Sequence, residues 1–223
     1  MTEHPAGARR AVLLHGLGRT RHSMRRLERR LRARGYDTFN HGYPSRMDDI
    51  ATLAAGMAHC VGEWADNGPL DFVTHSLGGI LVRVAVAAGD LPRDRIGRVV
   101  MLGPPNEGSE LADLLPTMPV VGSLYARVTG PAGLELGTTE LGVPAQLPPV
   151  DFEVGVIAGD RSWNPWFSAL LREPNDGKVR VDSTRVAGMT DFLVVPHWHP
   201  MLVTAPDVIE QVAHFLERGT FKR

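Results

Sequence analysis

One cysteine, Cys60, stands in 223 residues, so no disulfide can close within the chain and no oxidising compartment is required. No run approaches the ~20 apolar residues that cross a bilayer, which leaves no candidate for stable membrane insertion. The opening stretch, MTEHPAGARRAVLLHG, lacks the apolar core and small-residue cleavage site of a signal peptide, and Ala11–Leu14 is too short to serve as one. A cytoplasmic protein is therefore expected. Net charge is small as well: 24 Lys and Arg against 25 Asp and Glu leave −1, so the chain as a whole is not committed to nucleic acid. What is present is apolar residue, 43% of a length that suits one domain with a substantial core.

The charge is uneven. Eight arginines fall between Arg19 and Arg34. An anion-binding face would use such a cluster, but Met24, Leu27 and Leu31 make an inward stripe beneath it. An amphipathic helix with solvated arginines is the preferred reading.

Short β-rich runs alternate with helical patterns, which predicts a mostly parallel sheet covered by helices. Strands are expected at Arg10–Leu14, Tyr36–Asn40, Leu70–Thr74, Arg98–Leu102, Phe152–Ala158 and Phe192–Val195. Helices are expected at Ser23–Arg34 (capped by Ser23 and ended at Gly35), Asp48–Ala65, Leu77–Ala88 and Pro206–Arg218. Residues 106–150 loosen into a proline- and glycine-rich segment with only a short helix at Glu110–Leu115. A stretch this long outside the sheet reads as a cap or lid within a single domain spanning 1–223. Its apolar residues (Leu111, Leu114, Leu115, Met118, Val120, Val121 and Leu124) suit an acyl chain, or simply pack the cap down.

Ser76 sits between an apolar strand and an apolar helix in Thr74-His75-Ser76-Leu77-Gly78-Gly79. A sharp strand-to-helix turn lifts a serine hydroxyl above the sheet edge, and small residues must flank it. Gly78 meets this need downstream and Gly79 allows close helix packing, whereas Thr74 replaces the usual upstream glycine. A serine here could also be a helix cap, but the strand-turn-helix setting favours a nucleophile. The Leu14-His15-Gly16-Leu17 turn offers the backbone N–H of Leu17, which with that of Leu77 would form an oxyanion hole. His15 itself reads as a turn residue that shapes the loop.

In this order of elements an acid and then a histidine follow the serine. Asp160 ends a strand, and Asp176 lies in a tight Asn-Asp-Gly turn that presents its carboxylate; Asp176 is favoured. His197 and His199 both follow the last strand, and His199, further out on the loop, is favoured as base. The His-x-His pair has no third ligand at a compatible spacing, so neither metal nor cofactor is expected. His75 and His41 read as core or surface residues.

LLHGLGRT, THSLGGILVR, LGPPNEGSE, NDGKV and the late Pro-x-x-His together resemble small bacterial lipases and esterases of the α/β-hydrolase superfamily, near the GPI-inositol-deacylase-like branch. The resemblance runs over nearly the whole chain. It implies an α/β-hydrolase fold with Ser76 as nucleophile, Asp176 as acid, His199 as base and the amides of Leu17 and Leu77 as oxyanion donors. It also implies that Pro104–Ser109 lies beside the site and leads into the cap. The activity so implied is cleavage of a small-molecule acyl ester through an acyl-enzyme, by an esterase or lipase; the compact size of the chain favours an esterase of modest chain length. Acyl transfer or thioester cleavage on the same residues, and a non-catalytic binding module, are the alternatives.

Overall fold

Runs of valine, isoleucine and leucine that are apolar on both faces build a sheet buried on both sides. The computed structural model describes residues 9–65, 68–119, 121–163, 165–172 and 174–223. Its strands are β1 (Arg10–Leu14), β2 (Asp37–His41), β3 (Leu70–His75), β4 (Ile96–Leu102), β5 (Val154–Gly159) and β6 (Asp191–Val195). Every pairing is parallel, in the order β2-β1-β3-β4-β5-β6. The helices are α1 (Arg25–Arg32), α2 (Ile50–Trp64), α3 (Leu77–Ala88), α4 (Glu110–Thr117), α5 (Val121–Leu134), α6 (Val143–Gln146), α7 (Pro165–Leu171) and α8 (Pro206–Arg218). Among the described residues, no helix is long and apolar enough to cross a membrane.

Successive strand residues point to opposite faces. Ala11, Leu13, Val73, Val100 and Leu102 pack with Leu27 and Leu31 of α1 and with Val208, Val212 and Phe215 of α8. Val12, Leu14, Phe72, Val99 and Met101 pack on the other face with Leu53 and Met57 of α2 and Ile80 and Leu81 of α3. Each such buried side chain contributes about 1.5–3 kcal/mol, so the two layers rather than any polar contact hold the sheet.

This topology fixes where a ligand can sit. The chain leaves β1 for β2 at one edge, then returns to the far side of β1 as β3. The loops after β1 and β3 therefore diverge, opening a crevice at the carboxyl ends of the strands. Leu14-His15-Gly16 and His75-Ser76 stand on its two sides.

The expected helix from Ser23 starts later. A 3-10 turn occupies Arg21–Met24, and the Ser23 hydroxyl donates to the carbonyl of Thr20 at 2.8 Å, so it caps nothing. Asp49 does cap α2, accepting from the N–H of Thr52 at 2.7 Å. The sequence pattern does not predict helices α5, α6 and α7. In α5 the periodicity is broken at Gly130, where the backbone kinks (φ 68°, ψ −172°) ahead of Pro131. The apolar set of residues 106–150 splits: Leu111 and Leu115 are buried with Leu171, while Leu114, Val121 and Leu124 face outward. Val120 lies outside the described residues.

Candidate active site

Ser76 occupies the single-residue turn between β3 and α3, at φ 52° and ψ −121°. A non-glycine residue there is strained, and the surroundings hold it. Its N–H donates to the carbonyl of Leu102 at 2.9 Å, and its own carbonyl accepts from the N–H of Gly79 at 3.0 Å. The turn works only because small residues surround it. A β-carbon on Gly78 would lie 2.9 Å from both Cβ and the carbonyl oxygen of Leu14. One on Gly16 would lie 2.8 Å from His75 Nδ1 and 3.1 Å from Ser76 Cβ. Thr74 fits in place of glycine because Gly79 opposite it has no side chain: a β-carbon there would meet Thr74 Oγ1 at 3.3 Å.

Asp176 and His199 come together from loops after β5 and β6. His199 Nδ1 lies 2.6 Å from Asp176 Oδ2, and the two side chains are 4% and 1% exposed, so water does not compete for this bond. The other carboxylate oxygen accepts the N–H groups of Lys178 and Val179 at 3.0 and 2.9 Å. Asn175 Oδ1 accepts from Gly177 N–H at 2.9 Å, closing the turn that aims the carboxylate, and Gly177 supplies its φ of 92°. The N–H of His199 donates to the carbonyl of Asp176 at 2.9 Å, which ties the two loops together.

The competing residues have other partners. His197 Nε2 lies 2.8 Å from Asp207 Oδ2, near the start of α8. Asp160 sits 3.6 Å from the guanidinium of Arg161.

Ser76 and His199 line one cavity of about 550 Å3, with Leu17, Leu111, Leu115, Tyr125, Val128, Leu136 and Phe167 among its apolar walls. No hydrogen bond joins the Ser76 hydroxyl to the imidazole among the described residues. The turns and loops assign no backbone acceptor to the N–H of Leu17 or Leu77 among the described residues. Leu77 opens α3, so the positive end of the helix dipole lies at the serine. The loop bearing Leu17 is braced from behind. The His15 ring stacks on Tyr43 at 4.1 Å, its Nε2 accepts from the Tyr43 N–H at 3.3 Å, and its Nδ1 donates to the carbonyl of Gly16 at 2.9 Å. The Tyr43 hydroxyl donates to the carbonyl of His15.

His75, which reads from the sequence only as a core or surface residue, stands beside the pair. Its ring is 4.6 Å from that of His199, and its Nε2 donates to the His199 carbonyl at 3.2 Å. Burial, then the neighbouring His199, pushes its pKa well below the usual histidine value, so the ring is neutral. A histidine directly before the serine was the available signal, but its partner is 124 residues away in sequence.

Residues 11–218 match the Alpha/beta hydrolase family, and the chain belongs to it. The mature form of Bacillus licheniformis lipase BlEst2 is similar in structure, with a TM-score of 0.76 at 20% identity over 99% of this chain and 96% of that one. Its propeptide form gives 0.78 at 19% identity, and there this chain spans 52% of the longer protein. Phospholipase PlaB from Legionella pneumophila gives 0.69 at 18% identity, over 96% of this chain and 60% of that one. At these identities the likeness is one of fold. No curated protein matches the chain.

Proposed function

We propose that the protein is a serine hydrolase that cleaves a carboxylic ester by two-step acyl transfer, with Ser76 as nucleophile, His199 as base and Asp176 as its orienting acid. The observation that carries this reading is the buried 2.6 Å bond between Asp176 and His199, facing the cavity that the strained Ser76 also lines.

Asp176 accepts a hydrogen bond from Nδ1–H and so holds the proton on that nitrogen, which leaves Nε2 bare to take the hydroxyl proton of Ser76 as its oxygen attacks the acyl carbon. Charge collects on the former carbonyl oxygen, where the N–H groups of Leu17 and Leu77 stabilise it, worth about 3–4 kcal/mol per donor in comparable sites. The imidazolium returns its proton to the leaving alcohol. Water, deprotonated by the same nitrogen, then attacks the acyl-enzyme, and the acid leaves as Ser76 recovers its proton.

Residues 106–150 act as a cap: Leu111, Leu115, Tyr125, Val128 and Leu136 wall the cavity and suit an acyl chain of modest length. Ser76→Ala assayed on short-chain p-nitrophenyl esters tests the assignment. Turnover should fall to background and fluorophosphonate labelling should vanish; near wild-type turnover would remove Ser76 from the mechanism.

A further inference from the structure

The cavity holding Ser76 is apolar along its walls and cationic at its rim. Arg19, Arg46 and Lys178 belong to its lining, and no carboxylate does among the described residues. Many of the chain's other cations have carboxylate partners: Arg30 and Arg34 with Glu210, Arg93 with Asp151, and Arg180 with Glu110. The three rim side chains have no hydrogen bond or ion pair among the described residues. The negative charge that acts on Lys178 is Asp176, whose oxygens are engaged by His199 and two backbone N–H groups.

Their positions are set by the site itself. Arg19 closes the loop of Leu17, its N–H donating to the carbonyl of Gly16 at 3.1 Å. Arg46 lies over the same loop, where a β-carbon on Gly18 would meet its Cδ at 3.9 Å. Lys178 follows Asp176 by two residues, and its carbonyl accepts from the Ser109 hydroxyl at 3.0 Å. The charges reach the reacting centre: Arg19 and Lys178 both add to the depression of His75 beside Ser76, after burial and His199. Burial of its ammonium pulls the Lys178 pKa down, with Asp176 opposing and Arg19 adding. Arg19 and Lys178 thus repel each other, and no carboxylate lines the cavity among the described residues.

We propose that the substrate places its acyl chain in the apolar cavity and carries a phosphate on its alcohol or thiol side, which Arg19, Arg46 and Lys178 bind at the rim. This rests on the reading of Ser76 as the acyl-transfer nucleophile. A phosphate fits better than a single carboxylate because three cations meet a dianion, and guanidinium forks bind phosphate oxygens in pairs. Two sources share this chemistry, an acylglycerol phosphate and an acyl thioester of coenzyme A.

The experiment compares 1-octanoylglycerol, its 3-phosphate and octanoyl-coenzyme A as substrates of the intact chain. At about 20 mM salt the better phosphorylated substrate should exceed the neutral one in kcat/KM by about tenfold or more, and at about 300 mM salt that ratio should shrink several-fold. Whichever phosphorylated substrate wins identifies the source. Arg19→Gln, Arg46→Gln and Lys178→Gln should each lower the ratio by about three- to tenfold. Equal or faster turnover of the neutral ester, or a ratio indifferent to salt, overturns the proposal, and the salt series on the unmodified protein decides this even if a variant fails to fold. Fluorophosphonate labelling of Ser76 separates the two readings. A labelled enzyme that prefers the neutral ester loses only the phosphate, whereas a folded chain that neither labels nor turns over any of the three loses both.

Discussion

Gly103 stands against the His199 imidazole: a β-carbon on it would lie 3.0 Å from Nδ1, and 3.1 Å from the Asp176 oxygen bonded there. The residue also needs its φ of 55°, which turns the chain away at the end of β4. Gly103→Ala therefore strains the backbone and pushes the pair apart at once. Loss of about 1–3 kcal/mol of stability is expected. Turnover of a p-nitrophenyl ester should fall about a hundredfold, as for a misplacement near 1 Å. Wild-type turnover in this variant would mean that the pair tolerates displacement, contrary to the proposed mechanism.

Asp176→Asn tests the charge without removing the turn. The amide oxygen can still accept the N–H groups of Lys178 and Val179, so stability should change by no more than about 1 kcal/mol. The amide nitrogen, however, faces His199 as a donor and forces the proton onto Nε2, where the serine proton must go. The expected fall in kcat is about 10^4-fold with little change in melting temperature. Asp160→Asn, by contrast, should leave kcat within about twofold, because Asp160 lies by Arg161 and has no hydrogen bond to Asp176 or His199 among the described residues.

The backbone at Ser76 permits a test by stability alone. Alanine keeps the β-carbon that strains φ 52°, ψ −121°, whereas glycine removes it. Relief of about 1–3 kcal/mol of strain, less about 0.5–1 kcal/mol for the freer unfolded chain, should leave Ser76→Gly about 1 kcal/mol more stable than Ser76→Ala. Both should be inactive. Urea midpoints of the two variants decide the matter, and equal midpoints would show that the turn stores no strain.

The parts legible in the sequence are those whose cause is local. The helix α3 follows Ser76 directly, and Leu77–Ala88 is read with its observed bounds because an apolar strand, a serine and two glycines stand within a few residues. The turn at Asn175-Asp176-Gly177 is equally local, since asparagine and glycine make it from their own hydrogen bond and conformation. The features hidden in the sequence depend on distant chain. His75 reads as a core residue until β6 brings the carbonyl of His199 to it. Gly103, next after the expected strand Arg98–Leu102, shows no role in the sequence until Asp176 and His199 arrive beside it. Tyr43 gives no signal in a loop, yet it braces His15 by stacking and by two hydrogen bonds. Helix α5 is hidden because its kink at Gly130 breaks the period on which the reading relies.

Three buried histidines make stability depend on pH. Burial lowers the pKa of His15 (with backbone bonds to Gly16 and Tyr43 opposing), of His41 (with His15 adding) and, furthest, of His75. Unfolded, each titrates near 6.5. Between that value and the lower folded pKa the unfolded chain binds more protons, so stability is complete above pH 6.5 and is lost as pH falls through the folded values. Each histidine can add up to about 1.4 kcal/mol per pH unit to this slope. Asp71 has the opposite sign, since burial raises its carboxyl, but it is one group against three and titrates from a lower starting value. Urea midpoints should drop between pH 7.5 and 5.5, and His41→Gln should reduce that drop. A flat profile would mean that the three rings take up protons without unfolding.

Arg83 ties the proposed cap to the helix that follows Ser76. Its guanidinium is buried and donates to the carbonyl and side-chain oxygens of Asn106 at 3.0 and 3.1 Å, and to the carbonyls of Leu147 and Pro148 at 3.3 and 3.2 Å. These acceptors stand at the two ends of the segment between β4 and β5, so one side chain fastens both. Burial lowers its pKa to about 10, which still leaves it charged at neutral pH. Its ligands are neutral dipoles, so its removal strands acceptors but leaves no orphaned carboxylate. Arg83→Leu should cost about 3 kcal/mol, since each unsatisfied buried group costs about 1–3 kcal/mol and the exposed ends recover water. The loss should be local first. Limited proteolysis should cut within 137–147 well before the sheet, and KM for an ester should rise more than kcat falls as the cavity wall loosens. Uniform protection of that segment in a folded Arg83→Leu protein would show that the cap is held by the packing of its Leu111 and Leu115 against Leu171 instead.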